Sequence, residues 1–113
     1  MLFNETTGKS LLQIKNARTY FQKAKGLMFT CKKDFNYCLI FDMGAESKIQ
    51  SSIHMMFVFF PIFVVFLNEN KVVVDTKIAR PWGFYSSKAP ARYVLELPVK
   101  YIEKIRTGDK LAF

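Results

Sequence analysis

Residues 53 to 67 read IHMMFVFFPIFVVFL, 15 positions in which His54 is the one polar side chain. A membrane-spanning helix needs about 20 apolar residues. This run is shorter than that, and Pro61 interrupts it. Phe and Val favour strands, so the run predicts two buried strands meeting at Pro61. Within IFVVFL, Phe63, Val65 and Leu67 share one face, and Ile62, Val64 and Phe66 share the other. Both faces are apolar, which requires a strand covered on both sides. Phe63 is therefore expected in the interior.

The rest of the chain supplies partners for such a strand. Residues 1 to 5 and 10 to 16 predict two strands around the turn Thr7-Gly8-Lys9, since Leu12 and Ile14 alternate with Gln13 and Lys15. Asn16 is placed to cap a short helix over 17 to 25, ended by Gly26. CLIFDM at 38 to 43 predicts a strand, followed by a polar loop over 44 to 52. Asn68 to Lys71 forms a turn into the strand Val72 to Val74. Residues 80 to 90, RPWGFYSSKAP, are crowded with Pro, Gly and Ser and predict an irregular loop. Tyr93, Leu95 and Leu97 alternate with Val94 and Glu96, so 91 to 97 reads as a strand. Pro98 suits the first turn of a helix over about 98 to 105. Thr107-Gly108-Asp109 is a turn before a final strand from Lys110 to Phe113. With 113 residues, the expectation is one domain over 1–113. It is mostly β, a compact barrel or jelly-roll-like sandwich with one or two short helices. No βαβ alternation is visible, which argues against a doubly wound parallel sheet.

Charge bears on partners rather than on fold. The formal net charge is +8. Residues 1 to 33 carry Lys9, Lys15, Arg18, Lys23, Lys25, Lys32 and Lys33 against Glu5 alone, seven cations to one acid. Two readings stay open for residues 9–33: a solvated basic face, or a surface for a polyanion. No zinc finger, aromatic RNA-binding signature or helix-turn-helix pattern accompanies it. The cysteines are Cys31 and Cys38 only. That leaves no second pair for a zinc site, so no metal is expected, and the thiols are expected free. The N-terminal MLFNETTGK lacks the basic-then-apolar plan of a signal peptide. The expectation is a cytoplasmic monomer without a membrane span.

Few residues suggest chemistry. His54 is the sole histidine and is the one group able to act as a general base near neutral pH; a lone histidine at a strand start is more often structural. No glycine-rich phosphate loop, HExxH or paired-carboxylate motif is present, and no cofactor is implied. Glu96 stands inside an apolar strand. Alternation makes it an exposed position; the alternative is a buried carboxylate paired with Arg80 or Arg92. Arg80-Pro81-Trp82-Gly83 is the most ligand-like feature, joining a planar anion-binding fork to a flat apolar ring. Lys88 and Arg92 follow closely. The plain reading is that Trp82 closes the end of the fold while the cations are solvated. The sharper one is an anionic or sugar-like ligand held by Arg80, Trp82, Lys88 and Arg92, with His54 and Glu96 at its margin.

The order of short motifs resembles the family of unknown function numbered 192, in its short, leaderless archaeal form. Its signature of Ala, Thr and a basic residue before Gly-Leu-Met falls on Ala17, Thr19, Lys23, Gly26, Leu27 and Met28. Met55, Pro61, Phe66-Leu67, Val94-Leu95-Glu96-Leu97 and Gly108-Asp109 follow in order. The resemblance implies a compact, mostly-β domain and no activity. Relatives usually have Asp two residues after the matching proline, where this chain has Phe63. Many have Trp before the matching methionine, where it has His54. Three function classes follow: a small-ligand binding module; an enzyme using Glu96, Asp109 and His54; and a polyanion or protein binder using the basic N-terminal third. The first is the reading adopted from the sequence.

Overall fold

The run 62 to 67 is the strand against which the rest of the protein packs. The structure is a computed structural model that describes residues 1–17, 27–28, 30–47, 53–55 and 58–113, with Ser47 and His54 described by backbone alone. In chain order the strands are β1 (Phe3–Asn4), β2 (Lys9–Ser10), β3 (Ile14–Asn16), β4 (Cys38–Ser47), β5 (Ile53–His54), β6 (Ile62–Leu67), β7 (Val73–Ala79), β8 (Phe84–Tyr85), β9 (Ala91–Leu97) and β10 (Leu111–Ala112). Single 3-10 turns occupy Lys32–Asp34 and Val99–Tyr101. No helix among the described residues is long and apolar enough to cross a membrane.

The main sheet runs β3-β4-β9-β6-β7; a small sheet runs β10-β1-β2, and β5 pairs with β8. All pairs are antiparallel except β3 with β4. Strands β6 and β9 sit at the centre, with Val64 opposite Glu96 and Phe66 opposite Val94. Every residue of β6 is buried, as its two apolar faces demand. Phe63, Val65 and Leu67 pack with Cys38, Ile40, Leu95 and Leu97 against Leu2, Leu12 and Leu111 of the N- and C-terminal segments. Ile62, Val64 and Phe66 pack on the opposite face with Leu39, Phe41 and Val94 against Leu27, Phe35, Met55, Val58 and Phe60. The result is a mostly-β sandwich with a core on each side of the main sheet. Phe63 is 2% exposed and belongs to the first of these cores.

Several elements differ from their sequence-based boundaries. The helix expected over 98 to 105 is observed as the 3-10 turn at Val99–Tyr101, with Pro98 extended (ψ 145°) at its N-cap. Ile105, 1% exposed, anchors the segment beyond that turn in the core. The two buried strands expected to meet at Pro61 become the two-residue β5 and the six-residue β6. Between them, Val58 donates to the Met55 carbonyl (3.2 Å) in a turn, and Val58 and Phe60 reach the core from that irregular segment. Strand β4 runs on to Ser47 through an irregularity in its pairing with β9 beyond Asp42, where Gly44 adopts φ +80°. Strand β7 reaches Ala79, and the loop over 80 to 90 contains β8. The helix expected over 17 to 25 lies outside the described residues.

The two cysteines are free, Cys31 exposed and Cys38 buried. Burial and then the charge of Glu96 push the Cys38 thiol upward, and a buried thiol that resists ionisation is a poor nucleophile. Alkylation of folded protein is expected to add one mass increment at Cys31, and a second only after unfolding. Equal labelling of both thiols in the native state would place Cys38 at the surface.

Candidate functional site

The Arg80–Tyr85 segment is held from beneath by its own aromatic ring. Tyr85 packs against the core face that holds Met55 and Phe60, and its hydroxyl accepts the Arg80 backbone N–H at 2.9 Å. Gly83 lies directly on this ring, where a Cβ would come within 2.6 Å of it; no larger residue fits without moving one or the other. Trp82 donates its N–H to the Met55 carbonyl (2.8 Å), and Met55 donates to the Gly83 carbonyl (2.7 Å). Pairing then continues as Ile53 with Tyr85 and His54 with Phe84. Buried Met55 is thus a backbone clamp for the turn.

This clamp fixes Trp82 at φ +66°, a left-handed conformation that costs a bulky L-residue about 1 kcal/mol or more. The indole is nonetheless 54% exposed, with Phe59 at 61% and Phe84 at 73%. Phe59 and Trp82 meet edge to face, centroids 5.9 Å apart, an arrangement suited to the ring quadrupoles. Exposed large apolar side chains that touch one another, as Phe59 and Trp82 do, mark interaction sites more often than do scattered ones.

Cations lie in the same loop and on the strand that leads into it. Arg80 is exposed. Lys77 and Lys88 approach the buried Asp75 carboxylate at 3.8 and 4.0 Å. Asp75 also accepts the Lys88 backbone N–H at 2.9 Å, so this acid ties the far end of the loop to β7. From 76 to 95 the sequence holds Lys77, Arg80, Lys88 and Arg92 and no acid.

The other sequence-derived candidates are spread through the molecule. Arg92 forms an ion pair with Asp42, Nε to Oδ1 at 3.0 Å, and lies 5.2 Å over the Tyr93 ring. Glu96 is neither exposed nor paired with Arg80 or Arg92. It is 4% exposed between Leu39 and Val64 on the neighbouring strands, and its Oε1 finds no hydrogen-bond partner among the described residues. Both faces of the main sheet are covered, so alternation along β9 does not expose it. Burial pushes its carboxyl from 4.5 up to about 8. His54 is described by its backbone, which pairs with Phe84.

Gly108 and Asp109 serve the fold. Gly108 turns at φ +97°, and Asp109 Oδ2 accepts from Asn4 Nδ2 (2.9 Å) and the Arg106 N–H (3.0 Å). Fully buried Asn4 accepts in turn from the N–H groups of Thr6 and Thr7, which stitches the chain ends together. Glu96 belongs to the opposite side of the main sheet. Met28 is half-buried beside Leu27; Thr19, Lys23 and Gly26 lie outside the described residues. Sequence reasoning missed Phe59, since an aromatic residue within an apolar run reads as core, and Phe84, which stands in the loop over 80 to 90 beside the more conspicuous Arg80 and Trp82. The available signal was that Trp82 and Phe84 flank a glycine that Tyr85 requires.

Comparison with known proteins agrees with this architecture. A UPF0127 protein of Thermococcus sibiricus is 41% identical over 114 residues, covering 98% of this chain and 73% of the relative. A UPF0127 protein of Pyrococcus furiosus is 38% identical over 113 residues, covering 97% and 95%. The crystal structure of a protein of unknown function from Novosphingobium aromaticivorans superposes with a TM-score of 0.84 at 23% identity, over 99% of this chain and 82% of that one. A Sinorhizobium meliloti structure gives 0.81 at 24%, over 98% and 88%; both share the fold. The model of DUF192, an uncharacterized family, matches residues 2–113, and the chain belongs to that family.

Proposed function

We propose that this protein is a binding module whose ligand, anionic or sugar-like, rests on the exposed rings of Trp82 and Phe59 beside Arg80. The observation that carries this reading is Trp82 itself: a bulky residue held at φ +66° yet more than half exposed. The fold accepts backbone strain there without burying the indole in return, and such strain gathers at functional sites. A planar ring offers stacking to a flat or sugar-like body, and a guanidinium offers a bidentate grip on carboxylate or phosphate.

Trp82 is the only tryptophan, so intrinsic emission reports on this site alone. Titration with phosphorylated, carboxylated and sugar ligands is expected to change it saturably for at least one class. Arg80→Ala should weaken the response, and for an anion, added salt should weaken it too. Emission unchanged across all three classes would end the proposal.

A further inference from the structure

Resting on that reading, we infer that the ligand is single-stranded nucleic acid, its bases stacked on Phe59, Trp82 and Phe84 and its phosphates met by Arg80 and Lys88. The first argument is the form of the surface. Three rings, each more than half exposed, stand on segments locked by the Met55 hydrogen bonds and the β5–β8 pairing. Phe59 and Trp82 meet at 5.9 Å and Phe84 follows Trp82 by two residues; a small molecule gains one stacking contact from such rings, whereas a polymer adds one for each successive unit. Every base has a flat π-face, so stacking of this kind tolerates any sequence.

Charge is the second argument. The turn that carries Trp82 and Phe84, residues 80 to 88, contains Arg80 and Lys88 and no carboxylate. Arg80 forms no ion pair with any described residue. Lys88, its side chain 79% exposed, stands 4.0 Å from Asp75, a loose contact that it can leave for a phosphate. The chain as a whole is +8, which favours encounter with a polyanion. A neutral sugar polymer would use the rings and leave Arg80 and Lys88 without a role.

The test is fluorescence anisotropy of a labelled 12-residue oligothymidine and oligouridine at low salt, read alongside Trp82 emission. Saturable binding with quenching is expected. The logarithm of affinity should fall against that of salt with a slope of about −1.4 for two phosphates neutralised. Trp82→Ala and Phe59→Ala should each weaken binding about tenfold, while Trp82→Phe should restore most of it. Melting curves confirm that these surface variants fold. Arg80→Ala should both weaken binding and flatten the salt slope. A duplex hides its bases and should bind more weakly.

Equal affinity for duplex and single strand would overturn the inference. So would binding lost in Lys32→Glu/Lys33→Glu but kept in Trp82→Ala, which would assign the polyanion to the basic N-terminal third. Quenching by neutral oligosaccharides or small carboxylates without any by oligonucleotides would overturn the ligand class and leave the binding-module reading standing. Silence toward all of them would end both.

Discussion

In urea melts at pH 9, Glu96→Gln is expected to be more stable than the parent chain by several kcal/mol, with the advantage fading as pH falls toward 4.5. The cause is the position of the carboxyl. Glu96 is buried on a central strand of the main sheet, where burial holds its pKa at about 8 instead of 4.5. Below 4.5 both folded and unfolded chains carry the proton, and the group costs the fold little. Between 4.5 and about 8 the unfolded chain ionises and the native one does not. Stability then falls by about 1.4 kcal/mol for each pH unit. Above about 8 both forms are charged and the loss levels off, at a total on the order of 5 kcal/mol. That is a large share of the 5–15 kcal/mol typical of a domain.

Glutamine keeps the size and removes the charge. Its amide lacks the partner that Oε1 also lacks, so about 1–3 kcal/mol of desolvation remains against it, and Glu96→Leu gives a second estimate without that cost. Tyr37 and Cys38, the neighbours that feel the charge of Glu96, are themselves raised from values of 10.0 and 9.0 and titrate above this window. Any contribution from His54 is common to parent and variant and cancels in the difference. A parent stability flat between pH 4.5 and 8, or a slope retained in Glu96→Gln, would mean that Glu96 is not the group responsible.

Glu96 also marks the limit of what the sequence shows. Strand β9 was legible to the residue, since Ala91–Leu97 is the stretch that alternation picked out. The face of each side chain was legible too, because 93, 95 and 97 do share one side. The environment of the other face was not. Alternation distinguishes core from solvent only when one face is wet, and here Leu27, Phe35 and Phe60 cover the second face as well. The same two-sided cover was evident for β6, where no polar residue interrupts the pattern. Propensity failed at Pro98 for a related reason: proline suits a first helical turn, but burial of Ile105 decides where the chain goes next. At the candidate site, Trp82 and Arg80 could be read from composition. Phe59 and Phe84 could not, because exposure of an aromatic residue depends on what the folded chain packs against it, and these two stay 61% and 73% exposed.

Phe63→Ala is expected to cost about 3–5 kcal/mol, lowering the melting temperature by roughly 10–25 °C for a chain of this size. Phe63 lies on the central strand between Ile78 and Leu97 of its neighbours, and is 2% exposed in a cluster that includes Leu2, Leu12, Ile105 and Leu111. Those four come from both ends of the chain, so the cavity would open where the termini close over the sheet. They are also held by hydrogen bonds, among them Leu2 to Leu12 (2.8 Å) and Leu111 to Lys71 (3.0 Å). Collapse into the space is therefore restricted, and the cost should fall toward the upper end of the range. Ile78→Ala, on the same sheet but 39% exposed, is the control and should cost about 1 kcal/mol or less. A Phe63→Ala chain that melts with the parent would mean that the strand is peripheral. The same geometry bears on the family position that usually carries Asp. A carboxylate at 63 would enter this apolar core, where Phe63 is 2% exposed within a cluster of buried hydrophobic residues. Phe63→Asp should then unfold the protein rather than restore a site, because an unpaired buried charge costs more than a cavity does.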